Sequence, residues 1–381
     1  MGIRWHTAKL GLWLLLVTAS LVIASQAEQP YELWDSDREF PAVRNMPVIE
    51  GQRDLILHRG SDKYRWLHGP AVAWHKGSWH ATWGNNPKTE NVLGEVLRGV
   101  HSDDGWDSWS KPQTIIGGED CAYSHGVFLN YRGKLWAFVP RFVAHAEAPG
   151  KMFPGLRMEV LTLEDSTGEW QHMGVVGQNC WPMDTPTQMP NGNWIMGCAD
   201  RDLHSAVAIS DGDDLTRWDT VKPMSGGSET SVIVGKNNIL AIIRNQPVAL
   251  VSVSQDWGRT WSAARRSNYP MVASQPFAGT LSTGQRYLIA NTPDPTPKGE
   301  GCRGGRSLLT IAVSRPGGTK LCRIWKLVHG IPKDLLPGSY GGRQVSYPNA
   351  FEHDGRLYVV YTINKWHCGL SVVPVDSLSV D

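Results

Sequence analysis

Two histidines and an arginine are spaced so that they could transfer protons beside a bound acid. His125 and His145 lie twenty residues apart, and Arg201 follows the end of a strand-like apolar run. Imidazole titrates near neutral pH, so one side chain can remove a proton and later return it. A guanidinium binds a carboxylate through two parallel hydrogen bonds. For either histidine the alternative is a structural, hydrogen-bonded place in the core, which the sequence leaves open.

Polar residues of this kind begin and end six similar segments. Each segment has a polar start, an alternating run, a tight turn carrying Gly, Asn or Asp, and a second apolar run, which is typical of a β-hairpin. The segments span residues 68–84, 124–139, 184–199, 228–245, 274–291 and 346–362, with a second set of hairpins between them. The repeat, without helical periodicity, predicts an all-β fold of the β-propeller type. A β-sandwich is the alternative class.

The repeat count indicates six blades in one domain, residues 28–381. Residues 47–67 hold further strand-like runs that could pair with GLSVVPV, residues 369–375. Such pairing would close the ring, either by completing the sixth blade or by forming a seventh.

One turn carries a recognisable motif. Ser254-x-Asp256-x-Gly258-x-Thr260-Trp261 matches the Asp-box turn of sialidase-type propellers. In this turn the Ser and Asp side chains cap backbone amides and the Trp packs under the blade. Residues 102–109 give a degraded copy, and residues 210–218 a weaker one. The motif indicates the fold and says little about function.

The inner strand of each blade lines the channel of a propeller, so the residues that start the six runs are expected to converge on one mouth. Those residues are His68, His125, Thr185, Glu229, Gln275 and Tyr347, and they would be joined by His145, Arg201, Arg244 and Arg306. Several arginines around one pocket favour a carboxylate-bearing sugar, either a sialic or a uronic acid. The Pro/Gly-rich loop at residues 292–305 is expected to border the site.

Composition and the N-terminal segment limit the possible partners and the cellular location. The chain has 381 residues with 37 basic and 36 acidic side chains, a balance that does not favour a nucleic-acid partner. Residues 1–27 have a basic start, an apolar run and a small-residue end, which predicts a cleaved signal peptide and a secreted or periplasmic protein. A membrane anchor is the alternative, although the run is short for a span. No membrane partner is expected after cleavage.

Six cysteines could pair in an oxidising compartment, and the sequence does not give their connectivity. Unpaired core cysteines are the alternative. The paired spacing of a zinc site is missing. We predict no metal or cofactor in the site, and a structural calcium or zinc ion has no support from the sequence.

Four fragments carry a resemblance to a known family. They are SHGVFLNYRGKLWAF from Ser124, GEWQHMGVV from Gly168, CWPMDTPTQMPNGNWIMG from Cys180 and AVAISDGDDLTRWD from Ala206. The chain resembles the propeller family of L-rhamnose-α-1,4-D-glucuronate lyases and related rhamnosidases, with ulvan lyases as more distant relatives. The likeness runs through about residues 60–365 and is strongest in residues 121–221. The resemblance implies seven blades.

The same resemblance implies β-elimination. Lyases of that family carry two histidines about twenty residues apart, then a tyrosine and an arginine sixteen apart. His125, His145 and Arg201 match, but Thr185 stands where the tyrosine is expected. Arg201 would neutralise the uronate carboxylate and acidify the adjacent C5 hydrogen. His145 or His125 would remove that proton and return it to the departing O4 sugar.

A second resemblance is to the sialidases. Glu229 and Arg244 are spaced like that family's glutamate and arginine, while Arg306 and Tyr347 fit its third arginine and its nucleophilic tyrosine. The resemblance implies hydrolysis of a sialoside.

That resemblance has two departures. His68-Gly69-Pro70 stands where the sialidases carry Arg-Ile-Pro, and Asn85 and Asn86 occur where their acidic residue is expected.

The sequence therefore favours an exported enzyme that cleaves a rhamnose–uronate linkage in an acidic polysaccharide or oligosaccharide by elimination. The alternatives are a glycoside hydrolase on the same propeller and a non-catalytic glycan-binding propeller. For a rhamnosidase, His68, His75 and His80 on the first blade would supply the histidine. For a binding protein, Trp74, Trp83 and Trp181 would form the stacking rim.

Overall fold

The computed structural model describes residues 29–61, 63–143, 152–221, 226–296, 301–335 and 342–380, together with Met1 and Met224. Apart from Met1, the predicted signal peptide lies outside the described residues, and so does His145. Among the described residues, no helix has the length and apolar character needed to cross a membrane.

Six antiparallel sheets form a six-bladed β-propeller. The strands of blades 1 to 3 are β2 (Trp66–His75), β3 (Ser78–Asn86), β4 (Val96–Ser102) and β5 (Gln113–Ile116); β6 (Ala122–Tyr123), β7 (Val127–Tyr131), β8 (Lys134–Phe142), β9 (Arg157–Glu164) and β10 (Glu169–Gln178); and β11 (Trp181–Pro182), β12 (Thr187–Gln188), β13 (Trp194–Ala199), β14 (Ser205–Asp211) and β15 (Asp214–Val221). The all-β class and the six blades predicted from the repeat are confirmed.

The other three blades repeat the same order from the inner to the outer strand. Their strands are β16 (Thr230–Val234), β17 (Ile239–Ile243), β18 (Val248–Ser254) and β19 (Arg265–Pro270); β20 (Phe277–Thr280), β21 (Arg286–Asn291), β22 (Leu308–Ser314) and β23 (Leu321–His329); and β24 (Val345–His353), β25 (Arg356–Ile363), β26 (His367–Pro374) and β1 (Arg53–His58).

The ring closes through the N-terminal strand. β1 pairs antiparallel with β26, with Arg53 opposite Val372 and Leu55 opposite Leu370, so it is the outer strand of blade 6. This is the pairing predicted from residues 47–67. The seven blades implied by the lyase resemblance are wrong, because the additional N-terminal strand completes the sixth sheet instead of starting a seventh.

The inner strands are irregular at one level. The pairing of β2 shifts after His68 and that of β24 after Ser346, each shift marking a bulge. In blades 2 and 3 the inner strand is broken, so that His125 lies between β6 and β7 and Thr185 between β11 and β12. A bulge or break turns side chains out of the regular alternation. The predicted site residues thus lie beside the bulges and breaks of the inner strands.

Polar residues near these breaks also join neighbouring blades. The backbone N–H of Val232 donates to Asp184 Oδ2 at 2.7 Å, and that of Ala278 donates to Ser231 Oγ at 2.8 Å. The N–H of Val72 donates to Asn349 Oδ1 at 3.2 Å, across the junction of blades 6 and 1. Buried backbone groups that the sheets leave unpaired are satisfied in this way.

All three Asp-box turns adopt related structures. In the complete copy Ser254 Oγ accepts from Gly258 N–H at 2.8 Å, Asp256 Oδ1 accepts from Thr260 N–H at 2.8 Å, and Trp261 Nε1 donates to the Gly258 carbonyl at 2.9 Å. The two weaker copies keep the indole-to-carbonyl bond, made by Trp109 and Trp218 to the carbonyl three residues earlier. Their tryptophans therefore pack in the blades, as the motif predicts.

One disulfide joins Cys180 and Cys198, whose Cα atoms lie 5.7 Å apart, so it links the start of blade 3 to its second strand. Cys121, Cys322 and Cys368 are buried thiols. The chain thus contains both paired cysteines and unpaired core cysteines, the two alternatives that the sequence left open.

Close packing between blades 3 and 4 depends on Gly197 in β13. A Cβ at this position would lie 2.1 Å from the carbonyl oxygen of Thr230 on β16. Backbone atoms cannot move aside as a side chain can, so Gly197→Ala should force the blades apart and lower the free energy of unfolding by about 1–3 kcal/mol or more. Chemical denaturation followed by tryptophan fluorescence measures the change.

Gly177→Ala is the matched control, because the tightest contact of a Cβ there is the flexible end of Met158, at 3.1 Å, and Trp218 lies at an ordinary contact distance of 3.5 Å. We expect it to be much less harmful. Equal losses of stability in the two variants would contradict this account of the blade interface.

Candidate active site

A cavity of 360 Å³ opens at the mouth where the inner strands deviate. Its lining comprises His68, Glu90, Asn91, His125, Met152, Phe153, Trp181, Met183, Leu203, Glu229, Arg244, Arg303, Gly304, Arg306, Gln344, Tyr347 and Lys365. One part, with Phe153 and Trp181, is apolar, and another is charged. This combination suits a small ligand that has an apolar face and an anionic group.

Tyr347 is held in an unusual backbone conformation. Its φ is +58°, within the bulge of β24. A bulky residue in the left-handed region costs on the order of 1 kcal/mol or more, and such strain is concentrated at functional sites. The bulge aims the phenol at the carboxylate of Glu229, to which Oη donates a hydrogen bond at 3.1 Å.

Glu229 and Arg244 meet because of strand register. Thr230 pairs with Ile243 in β16 and β17, so the next positions outward, Glu229 and Arg244, face each other, and the backbone N–H of Arg244 donates to the Glu229 carbonyl at 2.9 Å. The Arg244 Nη1 donates to Glu229 Oε2 at 2.8 Å and to Tyr347 Oη at 3.3 Å. The three side chains form a closed hydrogen-bonded triangle.

Arg306 approaches the same tyrosine from blade 5. Its guanidinium lies 5.6 Å from the centre of the Tyr347 ring. Nη2 donates to the Ala273 carbonyl at 2.7 Å, and Nη1 donates to Gln344 Oε1 at 3.1 Å. These bonds fix the guanidinium plane without a carboxylate partner among the described residues. Its charge therefore remains available to a ligand.

Two neutral histidines complete the wall. The ring of His68 lies 4.1 Å from that of Tyr347 and 4.5 Å from that of His125, in edge-to-face arrangements. Burial lowers the pKa of His125 to about 3 and that of His68 well below its ordinary value. Gly69, with φ +53°, permits this packing, since a Cβ there would lie 2.2 Å from the His125 ring.

The lining carries more positive than negative charge. Three arginines (Arg244, Arg303 and Arg306) face two carboxylates, those of Glu90 and Glu229. Burial opposes ionisation of Glu229, but Arg244 and Arg306 outweigh it and lower its pKa. Burial and the charge of Glu229 raise the pKa of Tyr347. The resting pair is thus a protonated phenol beside an ionised carboxylate.

The charge of Glu229 should make stability depend on pH. A carboxylate whose pKa is lower in the folded than in the unfolded chain stabilises the fold above the unfolded value, about 4.3, and this stabilisation is lost as pH falls through the folded value. We therefore expect the stability difference between the wild type and Glu229→Gln to be constant above about pH 5 and to shrink below about pH 4. Urea denaturation of both proteins at pH values above and below these limits measures the difference in stability.

Glu169→Gln, an exposed position in β10, serves as the control for this series. A difference between wild type and Glu229→Gln that widened as the pH fell would show that Glu229 is not a stabilising anion.

Comparison with known proteins assigns the chain to a family. The sequence model of the BNR repeat-like domain matches residues 81–359, well over half of the chain. The chain belongs to the BNR repeat-like domain family. No protein of curated function matches its sequence significantly.

Solved structures share the fold of this BNR propeller. A protein described as of unknown function from Dyadobacter fermentans has a TM-score of 0.65 and 18% identity, with 85% of this chain and 99% of that chain covered. A Hadza microbial sialidase has a TM-score of 0.66 and 15% identity, covering 86% and 69%. Trypanosoma rangeli sialidase, solved with sialic acid, has a TM-score of 0.62 and 16% identity, covering 87% and 60%. The BNR propeller thus spans less than two thirds of this last sialidase, and its fold is sialidase-like.

Six of the predicted residues line the cavity of the BNR propeller: His68, His125, Glu229, Arg244, Arg306 and Tyr347. Three others, Arg201, Thr185 and Gln275, do not belong to its described lining. Arg201 lies in the turn after β13, with its side chain 43% exposed and Nε 3.7 Å from Asp202 Oδ2. Thr185 is half-buried between β11 and β12. Since His145 lies outside the described residues, the elimination set stays a prediction.

The sequence missed Glu90 and Lys365. Glu90 lies on the loop between β3 and β4, and Lys365 in the tight turn between β25 and β26. Neither occupies the start of a repeated run, the signal used to select candidates. The prediction for residues 292–305 is confirmed at its described end, where Arg303 and Gly304 line the cavity.

Of the three tryptophans predicted to form a stacking rim, Trp181 lines the cavity and is 2% exposed. Trp74 and Trp83 lie outside the described lining: Trp83 is 0% exposed, and Trp74 stacks on His353 with ring centres 4.7 Å apart. Among the described residues, one group, Asp200, Asp202 and His204, brings three potential metal-ligand atoms within 4.8 Å of one another.

Proposed function

We propose that the protein is a retaining glycoside hydrolase of carboxylate-bearing sugars, with Tyr347 as the nucleophile. The observation that supports this most directly is the 3.1 Å hydrogen bond from Tyr347 Oη to Glu229 Oε1, beside Arg244 and Arg306. A nucleophile in hydrogen-bonding reach of a base, which a third group orients, is the arrangement that covalent catalysis needs. Here Arg244 orients both members.

A phenol suits an anionic sugar for an electrostatic reason. A carboxylate nucleophile would be repelled by the acid group of the substrate, whereas protonated Tyr347 is neutral. Its proton would pass to Glu229 as Oη bonds to the anomeric carbon. The Nη1 of Arg244, 3.3 Å from Oη, would stabilise the charge that develops there. Proton transfer and bond formation are then coupled, because Glu229 alone is too weakly basic to ionise the phenol beforehand.

The remaining roles follow from the lining. Arg306 and Arg303 would bind the substrate carboxylate, for which a guanidinium offers paired donors. Glu90, the other carboxylate of the described lining, would protonate the leaving oxygen and later activate water. The apolar part at Trp181 and Phe153 would bind the opposite face of the sugar. The sialidases of this fold make sialic acid the first candidate ligand.

A panel of fluorogenic umbelliferyl glycosides tests the substrate class. We expect release from the α-sialoside or a uronide, and none from neutral glycosides of the same ring size. Turnover confined to neutral sugars would contradict the proposal. So would the absence of turnover and of binding for every acidic sugar in the panel.

Elimination at a rhamnose–glucuronate linkage is the second candidate, favoured by His125. Its imidazole is neutral and lines the same cavity, so it could accept a proton. With rhamnose-capped arabinogalactan, a lyase releases rhamnose together with an unsaturated uronate that absorbs in the ultraviolet. A hydrolase releases sugar without that absorbance, and a binding propeller retains the glycan unchanged.

We also propose that the protein acts outside the cytoplasm, as its predicted signal peptide indicates, on an acidic polysaccharide or oligosaccharide. Cell fractionation with the signal intact and with residues 2–27 deleted tests the location. Retention of both forms in the cytoplasm would contradict it.

A further inference from the structure

Lys365 is a buried lysine whose backbone is held in place from three sides. It lies in the turn from β25 to β26 with φ +55°, as does Asn364, and the Trp366 N–H donates to the Ile363 carbonyl. The N–H of Leu67 donates to the Lys365 carbonyl at 2.7 Å. Side-chain bonds of Asn364 reach Leu335 and Gln344. A lysine in a left-handed conformation persists only where its surroundings fix it.

The amino group lies in the active-site lining, and no carboxylate oxygen of the described residues is within hydrogen-bonding distance of it. Its Nζ is 3.7 Å from the centre of the Tyr347 ring, and the residue is 3% exposed. The closest carboxylate oxygen among the described residues is Oε2 of Glu90, at 3.9 Å, beyond a hydrogen bond. That oxygen also lies 3.9 Å from Nδ1 of His68.

The groups that face Lys365 come from five blades. Glu90 and His68 lie on blade 1, His125 on blade 2, Glu229 and Arg244 on blade 4, Arg306 on blade 5 and Tyr347 on its own blade 6. Glu90 and Glu229 favour its charge, whereas Arg306 and Arg244 oppose it. A bound substrate carboxylate would favour protonation of Lys365, because its negative charge offsets the repulsion from Arg306 and Arg244.

We propose that Lys365 becomes protonated when an acidic sugar binds, and so acts with Arg303 and Arg306 as a third, conditional cation for the substrate carboxylate. The inference rests on the proposed function in requiring an acidic ligand. Neutral sugars would leave Lys365 uncharged, so charging on binding would discriminate against them. Lys365 would thus determine specificity, whereas Tyr347 carries the chemistry.

The electrostatics of the empty cavity agree with this role. Burial lowers the pKa of Lys365 well below its ordinary value, although Glu90 opposes the change. A bound carboxylate raises the pKa again. Affinity should therefore be highest below the pKa of Lys365 in the empty cavity and fall as pH rises from that value to the pKa of Lys365 in the complex. Proton uptake should be greatest between these two pKa values. His68 and His125 stay neutral through the neutral range, so they do not produce this dependence.

Calorimetric titration tests the inference without needing turnover. N-acetylneuraminic acid and D-glucuronic acid are titrated into the full mature protein at neutral pH in two buffers of different ionisation enthalpy, and the difference in heat gives the protons taken up. We expect the wild type to take up close to one proton with the acid that it binds. Lys365→Met should lose the uptake and bind roughly 10- to 100-fold more weakly.

Lys365→Arg should keep the affinity within a fewfold and take up no proton, since arginine is charged throughout. Lys134→Met, at an exposed position of β8, should behave as wild type. Thermal melting confirms that each variant is folded. Binding of an acid by wild type without proton uptake, or uptake that persists in Lys365→Met, overturns this inference and leaves the proposed function standing. Failure of both acids to bind overturns the two together.

Discussion

Tyr347→Phe is expected to lower kcat/KM on the best acidic glycoside by roughly a thousandfold or more. The substitution removes the oxygen that would bond to the anomeric carbon and keeps the ring that packs against His68, at 4.1 Å, and Lys365, at 3.7 Å. Because Tyr347 is buried and strained, loss of its hydroxyl should leave the bulge in place. The measurement is steady-state kinetics of wild type and variant, with binding of the free acid monitored separately.

Tyr361→Phe is the matched control on the same blade. Its hydroxyl is also buried and bonds to Ser371 Oγ at 3.2 Å, but it lies outside the described lining of the cavity. We expect wild-type kinetics. If Tyr347→Phe retained more than about a tenth of the activity while Tyr361→Phe was normal, Tyr347 could not be the nucleophile.

Arg244→Met should damage both stability and activity. It leaves the Glu229 carboxylate, 4% exposed, without its 2.8 Å partner, and a buried charge that loses its partner costs about 3–5 kcal/mol. The same change removes the donor that would stabilise the phenolate, so kcat should fall by roughly a hundredfold or more. Denaturation and kinetics are measured on the same preparation.

The surface pair of Arg132 and Asp213 provides the control. Arg132 is 67% exposed in its side chain, so Arg132→Met should cost less than about 1 kcal/mol and leave the kinetics unchanged. Arg244→Lys should recover part of the stability, because it restores the charge but not both hydrogen bonds. Similar losses in Arg132→Met and Arg244→Met would refute a special role for the buried pair.

The fold could be predicted from the sequence because its evidence is repeated. Six hairpin patterns, an Asp-box turn and a spare N-terminal strand each point to the same ring, and β1 closes that ring as expected. The seven blades came from the resemblance alone. Blade number depends on how the two ends of the chain pair. Fragments from the middle of the chain that resemble another family give no information about that pairing.

The candidate site could be predicted only where it follows the repeat. Glu229 and Arg244 are fifteen residues apart at the two ends of one hairpin, so their contact follows from register. Tyr347 starts the corresponding run in blade 6, but its positive φ and its contact with Lys365 follow from a bulge and a turn. Bulges and long loops such as that of Glu90 are set by packing between blades, which a single sequence does not encode locally.

Trapping the covalent intermediate tests the central claim most directly. The compound is 2,3-difluorosialic acid, with which Trypanosoma rangeli sialidase was solved as a covalent intermediate, or the corresponding fluorinated uronide if a uronide is the better substrate. Intact-mass and peptide-mass spectrometry should find one added sugar on the peptide carrying Tyr347, and none in Tyr347→Phe. An enzyme that turns over its acidic substrate but never carries the sugar on Tyr347 would contradict the mechanism.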